Sequence, residues 1–218
     1  MGKNMSVKVA INGFGRIGRN ILRAIIESGR KDLEVVAIND LGSTEVNAHL
    51  FEFDSVHGKF AGDIKTTKDS IIIEGMEIKV TSIKQPAALP WENIDIAMEC
   101  TGIFTDREKA ASHLKNGCSR VLISAPAKNA DKTIVYGVNH QTLTKNDIIV
   151  SNASCTTNCL APIAKVLNDE FKIEKGFMTT IHSYTTDQRL LDNSHKDLRR
   201  ARSAAQSIVP TSTGASKA

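Results

Sequence analysis

Two patterns of apolar residues alternate along the first part of the chain. Short runs rich in Val and Ile, at residues 7–11 and 34–38, are typical of strands buried in a parallel sheet. Between them, apolar residues recur every three or four positions over 17–26, which predicts a helix that ends at Gly29. Strands that alternate with helices indicate βαβ units. We therefore predict an α/β fold with a Rossmann-type, mostly parallel sheet.

Later segments extend this pattern. Residues 71–73 and 78–80 flank a Glu-Gly-Met-Glu turn and predict a hairpin. The remaining predicted strands are 94–99, 121–124, 148–151 and 176–181, and the remaining predicted helices are 46–51, 106–116 and a segment from Cys155 towards Asn168.

A glycine-rich turn follows the first predicted strand and reads Gly-Phe-Gly-Arg-Ile-Gly over residues 13–18. In a strand–turn–helix unit, Gly13 permits the tight turn, Gly15 lets the backbone approach a pyrophosphate, and Gly18 lets the helix pack closely on the sheet. Asp40 ends the second strand, near the spacing expected for a carboxylate that binds the adenosine ribose hydroxyls. Because a carboxylate there repels a 2′-phosphate, the pattern predicts NAD in preference to NADP.

Polar and glycine residues also follow two later strands. Thr101 and Gly102 come after the strand at 94–99, and Ser124 ends the strand at 121–124. Cofactors bind at the carboxyl edge of such sheets, so these residues are candidates for cofactor contact. Plain turn residues are the alternative interpretation.

A reactive thiol is predicted at Cys155. It starts a helix directly after a strand, where the helix N–H groups lower the pKa of a thiol. His182, at the end of the next predicted strand, is placed to form a thiolate–imidazolium pair with it. Cys159 lies one helical turn further on, and we expect a buried spacer thiol there. The spacing of these groups predicts no metal site.

The amino-acid composition limits the classes of binding partner that we expect. Hydrophobic residues make up 41% of the chain, charged residues 24% and aromatic residues only 5%, with a net charge of +4. Nucleic-acid binding usually shows a denser basic surface with interleaved aromatic residues, so no specific nucleic acid is expected. No apolar run reaches the ~18 residues of a membrane span. With four cysteines and no secretory leader, we expect a cytoplasmic protein with reduced thiols.

Four motifs together resemble one family. They are the segments 12–19 (Asn-Gly-Phe-Gly-Arg-Ile-Gly-Arg), 151–159 (Ser-Asn-Ala-Ser-Cys-Thr-Thr-Asn-Cys), 195–202 (His-Lys-Asp-Leu-Arg-Arg-Ala-Arg) and 210–214 (Pro-Thr-Ser-Thr-Gly). In register from about Val7 to Ala218, the chain resembles phosphorylating glyceraldehyde-3-phosphate dehydrogenase, a homotetrameric NAD-dependent enzyme of glycolysis and gluconeogenesis. The resemblance implies a Rossmann domain over 1–154 and the beginning of an α+β catalytic domain over 155–218. Because family members are roughly a hundred residues longer, we expect the catalytic domain to be incomplete.

The resemblance also implies roles for individual residues. Cys155 would be the nucleophile that attacks glyceraldehyde 3-phosphate, and His182 the general base. Inorganic phosphate would bind near Ser154, Thr156, Thr213 and Gly214, and the phosphate of the substrate near Thr185 and Asp187. The residues implied for the cofactor are Gly13, Phe14, Gly15, Arg16, Ile17, Gly18, Asp40, Lys84, Thr101, Gly102, Phe104 and Ser124. Residues from Tyr184 to about Ala205 resemble the loop that reaches a neighbouring subunit.

Two departures from the family leave the cofactor preference open. Lys84 stands where an arginine is common near the adenine, and Asn193-Ser194 replaces a pair that ends in proline in strictly NAD-dependent members. Some tolerance of NADP therefore stays possible. Three other functions also remain: an erythrose 4-phosphate dehydrogenase, a non-catalytic NAD-binding fragment, and a cysteine hydrolase or acyltransferase.

Overall fold

The computed structural model describes residues 6–211, 213 and 214. Backbone contacts divide the chain into two compact units, with the boundary between Ser154 and Cys155. Each unit is described in turn.

The first unit contains the strands and three of the α-helices. The strands are β1 (Val7–Asn12), β2 (Leu33–Asn39), β3 (Phe53–Asp54), β4 (Gly58–Lys59), β5 (Ile64–Thr66), β6 (Ser70–Ile73), β7 (Met76–Thr81), β8 (Ile96–Glu99), β9 (Arg120–Ile123), β10 (Lys132–Thr133) and β11 (Ile149–Ser151). The helices are α1 (Arg16–Glu27), α2 (Thr44–Glu52) and α3 (Arg107–Ala110), with 3₁₀ turns at Pro86–Ala88, Ala111–Asn116 and His140–Thr142. No helix in the described part of the chain is long and apolar enough to span a membrane.

Nine of these strands form one sheet in the order β10-β11-β9-β8-β1-β2-β7-β6-β5. Seven strands from β10 to β7 run parallel, while β6 and β5 continue antiparallel at one edge. This confirms the predicted α/β fold with a mostly parallel, Rossmann-type sheet. From β1 the chain adds strands first on one side and later, with β8, on the other. The loops after β1 and β8 therefore open the crevice in which ligands bind in such sheets.

Strand β1 is central because its side chains can be buried on both faces. Val9 and Ile11 pack on one face with Leu22 of α1, whereas Ala10 packs on the other face with Trp91. Successive strand residues point to opposite faces, so a continuous apolar run fills two cores at once. All of these side chains are almost completely inaccessible to solvent.

The predicted helix over 106–116 is only partly α-helical. It begins at Asp106, whose carboxylate accepts the N–H of Glu108, but after Ala110 it tightens into the 3₁₀ turn of Ala111–Asn116. Gly117 ends the segment with a φ of +95°, a conformation that favours glycine.

The second unit begins with α4 (Cys155–Phe171). The strand predicted over 176–181 is wrong: this segment has no regular secondary structure and belongs to no sheet. A strand needs a neighbouring backbone for its N–H and C=O groups, and no described residue of the second unit provides one. The only other regular element described in this unit is a 3₁₀ turn at Leu198–Ala201.

Candidate active site

The glycine turn after β1 has three glycines with different surroundings. Gly13 has a φ of +88°, and a Cβ there would lie 2.8 Å from the backbone nitrogen of Thr101. At Gly18 a Cβ would lie 2.2 Å from the carbonyl oxygen of Gly13, so the first turn of α1 rests directly on the loop. Nothing lies within 4 Å of a Cβ at Gly15, the residue before α1. The backbone at Gly15 is therefore open to a ligand at the positive end of the helix.

Asp40, after β2, binds this turn directly. Its Oδ2 accepts the N–H of Phe14 at 2.8 Å, and its Oδ1 accepts the N–H of Gly42 at 2.9 Å. Each carboxylate oxygen retains a second acceptor position, which suits a pair of neighbouring hydroxyls. The ring of Phe14 is buried and stacks on Phe51, so only its backbone is available at the turn.

Arg16 and Ile17, the two turn residues after Gly15, are exposed. The guanidinium of Arg16 forms an ion pair with Asp54 at 2.9 Å, and Ile17 is half exposed. The N–H of His57, followed by the guanidinium of Arg16 and the N–H of Val56, keeps the pKa of Asp54 well below its usual range. This ion pair fixes the side chain of Arg16, so a ligand at the start of α1 meets backbone N–H groups.

The other cofactor candidates lie in loops at the same carboxyl edge. Thr101 donates its hydroxyl to Glu99, and Gly102 has a φ of +72°. The N–H of Ser124 bonds the carbonyl of Glu99, and Lys84 is exposed just after β7. The parallel sheet therefore brings the loops of β1, β2, β7, β8 and β9 to one edge.

Cys155 and His182 are in contact within the second unit. The Sγ of Cys155 lies 3.2 Å from Nε2 of His182, and Nδ1 of His182 bonds the carbonyl of Ser183 at 2.6 Å. The hydrogen bond with His182 lowers the pKa of the Cys155 thiol, and the N–H and hydroxyl of Thr156 lower it further. The bond to Ser183, then the bond to the thiol, raises the pKa of His182. A thiolate facing an imidazolium is the arrangement that activates a cysteine nucleophile.

The other cysteines have different surroundings. Burial raises the pKa of Cys100 and of Cys118 to about 11 each. Cys159 is exposed, so the expectation of a buried spacer thiol is wrong. α4 presents this face to solvent in the described structure. In the part of the chain that the structure describes, no three His, Cys, Asp or Glu side chains cluster as a metal site would require.

The candidate phosphate-binding residues come from three segments of the chain. Thr156 lies beside Cys155 and bonds its thiol, and Ser154 directly precedes it. The N–H of Thr185 bonds the side chain of Gln188 at 3.1 Å, while Thr213 and Gly214 are exposed near the end of the described residues. Among these candidates, Ser154 and Thr156 are the two that are adjacent to Cys155 in the sequence.

Asp187 is held by two basic side chains of the second unit. Its carboxylate contacts Nε2 of His195 at 3.4 Å and forms an ion pair with Arg200. The bond to His195, then the bond to Arg200, lowers the pKa of Asp187. Asp187 thus orients neighbouring side chains, and a phosphate would meet Arg200 more favourably than the carboxylate.

One group of buried polar residues beneath the edge was missed by sequence reasoning. Glu99 is completely buried at the end of β8 and bonds Asn12 at 2.6 Å and His113 at 2.8 Å. Asn12 in turn accepts the side-chain N–H of Asn39 at 2.8 Å. The sequence feature that could have revealed this group is the position of Glu99 at the end of a buried apolar strand. A buried carboxylate requires hydrogen-bond partners that are buried with it.

Two models of one protein family match this chain. Residues 7–107 match the family model "Glyceraldehyde 3-phosphate dehydrogenase, NAD binding domain", and residues 154–218 match the model of the C-terminal domain of the same family. The first match supports NAD as the cofactor of the first unit.

Curated relatives carry the same name. Glyceraldehyde-3-phosphate dehydrogenase of Cereibacter sphaeroides is 67% identical over 214 residues, which is 98% of this chain and 64% of the relative. The enzyme of Xanthobacter flavus is 68% identical over 98% of this chain and 64% of its own length, and that of Pseudomonas aeruginosa is 58% identical over 98% and 65%. The chain thus spans just under two thirds of the length of the relatives it matches. On these matches and the fold, the chain belongs to the glyceraldehyde 3-phosphate dehydrogenase family.

Proposed function

We propose that this chain serves the NAD-dependent oxidation of glyceraldehyde 3-phosphate to 1,3-bisphosphoglycerate, with inorganic phosphate as co-substrate. The observation that supports this most is the 3.2 Å contact between the thiol of Cys155 and the imidazole of His182. It occurs in a chain whose other unit matches an NAD-binding domain. A reactive thiol alone would also suit a hydrolase, but a hydrolase needs no dinucleotide.

The chemistry follows from the two side chains. The Cys155 thiolate attacks the aldehyde carbon, and the imidazolium of His182 protonates the carbonyl oxygen, so that a hemithioacetal forms beside a neutral His182. His182 then takes the hydroxyl proton while a hydride leaves the same carbon, so that a thioester remains on Cys155. NAD, when bound, supplies the hydride acceptor. Inorganic phosphate attacks the thioester carbonyl, and the carbon–sulfur bond breaks to release the acyl phosphate and the thiolate.

The residues of the first unit fit NAD. A Cβ at Gly15 would project into open space, which leaves the N–H groups at the start of α1 accessible to a pyrophosphate. Asp40 has an acceptor position left on each oxygen for the ribose hydroxyls. We propose NAD as the preferred cofactor, with weaker binding of NADP, because the 2′-phosphate would meet this carboxylate.

The phosphate groups are proposed to meet hydroxyl and cationic groups from Ser154 onward. Ser154, Thr156, Thr213 and Gly214 are the candidates for inorganic phosphate, and Thr185 for the phosphate of the substrate. For Thr185, the neighbouring Arg200–Asp187 pair supports the proposal, because it provides a cation held in a fixed position. We further propose that the working protein is a cytoplasmic homotetramer, in line with the family.

A comparison of two serine variants tests the proposal. NADH absorbance is followed after NAD, glyceraldehyde 3-phosphate and inorganic phosphate are mixed with the wild-type chain, with Cys155→Ser and with the matched control Cys159→Ser. We expect NADH from the wild type and the control and none from Cys155→Ser. Replacement of His182 by Asn should slow the reaction about 10²–10⁴-fold, the usual contribution of a general base.

Other functions predict different results. NAD binding by calorimetry without any NADH would indicate a non-catalytic cofactor module. Faster turnover with erythrose 4-phosphate would identify that aldehyde as the substrate. NADH production by Cys155→Ser would overturn the mechanism.

A further inference from the structure

The carboxylate of Glu99 lies at the centre of a buried hydrogen-bond network below the cofactor edge. Its Oε1 accepts the N–H of Thr101 at 2.9 Å and also the hydroxyl of Thr101. Its Oε2 accepts the side-chain N–H of Asn12 at 2.6 Å and faces Nε2 of His113 at 2.8 Å. A carboxylate has four acceptor positions, and each of them here meets a donor.

The donors are themselves fixed by other contacts. The hydroxyl of Thr101 accepts the N–H of Ile103 at 3.1 Å, so its own hydrogen is directed to Glu99. His113 is completely buried and stacks on Trp91, with ring centroids 5.5 Å apart. Its Nδ1 has no partner among the described residues, which fits an imidazole with its single proton on Nε2. The His113 ring therefore anchors one side of the carboxylate.

The network continues from Asn12 across the sheet. Oδ1 of Asn12 accepts the amide of Asn39 at 2.8 Å, and Oδ1 of Asn39 accepts the hydroxyl of Thr81 at 2.9 Å and the N–H of Ile83 at 2.8 Å. These residues lie at or just beyond the carboxyl ends of β1, β2 and β7, and Glu99 ends β8. One chain of buried polar contacts thus connects the bases of four loops that hold the cofactor candidates.

We infer that Glu99 is a positioning residue for the cofactor site: it fixes the Thr101–Gly102 loop against the glycine turn. A Cβ at Gly13 would lie 2.8 Å from the nitrogen of Thr101, so the two loops are in direct backbone contact. Because Glu99 and His113 are inaccessible to solvent, neither can touch a ligand, and their effect on binding must pass through Thr101 and Asn12. This inference rests on the proposed binding of NAD.

Glu99→Gln is the direct test, because one carboxylate oxygen that accepts hydrogen bonds becomes an NH₂ group that donates them. That NH₂ group would face the donors that the oxygen now binds. In the ligand-free chain, we expect the amide hydrogen of Thr101 to exchange at least tenfold faster by NMR. In calorimetry, we expect the Kd for NAD to rise at least tenfold. The Kd for AMP should change less than about threefold, because AMP lacks the nicotinamide half and relies on the Asp40 side of the turn. A general loss of structure would instead weaken both ligands alike.

Matched variants separate positioning from folding. Glu92→Gln removes the same charge at an exposed site of the same unit and should leave exchange and both affinities unchanged. Should Glu99→Gln fail to fold, His113→Phe removes one donor while it keeps a ring on Trp91. It should accelerate exchange at Thr101, and His113→Gln, which can still donate, should restore slow exchange.

The outcomes also distinguish the two proposals. Absence of NAD binding by the wild type would refute the proposed function, while the exchange rates would still decide whether Glu99 fixes the loop. Exchange at Thr101 and NAD affinity in Glu99→Gln equal to those of Glu92→Gln would overturn the positioning role.

Discussion

Replacement of Gly18 by Ala adds a methyl group where α1 rests on the glycine turn. The new Cβ would lie 2.2 Å from the carbonyl oxygen of Gly13 and 3.0 Å from Cγ2 of Ile11. Favourable carbon contacts begin near ~3.5 Å, so the helix and the turn would have to separate by roughly 1 Å. Gly13 cannot yield easily, since its own position is already packed against the backbone of Thr101.

Two opposing terms set the size of the effect. Alanine is about 1 kcal/mol better than glycine inside a helix. Overpacking against a rigid neighbour costs about 1–3 kcal/mol, and a backbone oxygen places the site at the upper end of that range. We therefore expect Gly18→Ala to lower the free energy of unfolding by about 2 kcal/mol, which corresponds to a fall in Tm of about 4–8 °C for a chain of this size.

Gly15→Ala provides the internal comparison. Nothing lies within 4 Å of its Cβ and its φ is −67°, so the free energy of unfolding should change by less than about 1 kcal/mol. The methyl group would nevertheless stand at the proposed pyrophosphate position, and the Kd for NAD should rise at least tenfold. Urea unfolding followed by circular dichroism, together with calorimetric titration of NAD, measures both effects. A Gly18→Ala chain as stable as the wild type, or a Gly15→Ala chain that loses as much stability, would refute the steric argument.

Three further predictions follow from the pKa shifts. The rate of alkylation of Cys155 by iodoacetamide should fall only as the pH drops through the lowered pKa of its thiol, and His182→Asn should move that midpoint to higher pH because the hydrogen bond and the opposite charge are lost. Cys100 and Cys118, whose pKa values burial raises to about 11, should remain unlabelled at pH 8 in the folded chain, as mass spectrometry of peptides can check. The pKa of Asp54 is lowered mainly by a backbone N–H, so the hydrogen bonds of the ionised carboxylate stabilise the folded chain at any pH above the pKa of the unfolded carboxyl. Asp54→Asn should therefore lower the free energy of unfolding by about 1–2 kcal/mol at pH 7, as measured by urea unfolding. The difference from the wild type should shrink as the pH falls below about 4.

The Asp54 prediction has a matched control, and both it and the Cys155 prediction have a result that would contradict them. Asp63→Asn, at an exposed carboxylate, should leave urea unfolding at pH 7 nearly unchanged. A stability loss from Asp54→Asn that persists undiminished at pH 3 would contradict the linkage argument. Equal alkylation of Cys155 in the wild type and His182→Asn across the pH range would exclude a thiolate–imidazolium pair.

The sequence was informative where structure depends on neighbouring residues. The buried run of β1 and the helical spacing of α1 depend on local periodicity, and the glycine turn depends on φ values and close approach at single positions. The contact between Cys155 and His182 was predicted from a helix start and a following segment. It forms although that segment, 176–181, is not a strand, so the reasoning about the sheet edge was wrong even where the pairing occurs.

Contacts between residues far apart in the sequence could not be predicted from local patterns. Glu99 bonds Asn12 across 87 positions of the chain and His113 across 14, and no periodicity links these residues. The antiparallel strand β5 and the tightening of Ala111–Asn116 into a 3₁₀ turn likewise depend on tertiary packing. Prediction failed where the partner of a residue is chosen by the fold and not by its local sequence.

The two units differ sharply in how many of their residues are buried, and this difference affects the lifetimes of the Cys155–His182 contact and of the glycine turn. Both hydrophobic clusters lie within the first unit, whereas no described residue from Cys155 onward is buried. Segments with few buried apolar contacts open locally at low free energy, well below that of global unfolding. The contact between Cys155 and His182 should therefore form and break in rapid fluctuations while the glycine turn stays protected. On a single thermal ramp, we expect the enhanced alkylation of Cys155 to disappear before the affinity for NAD does.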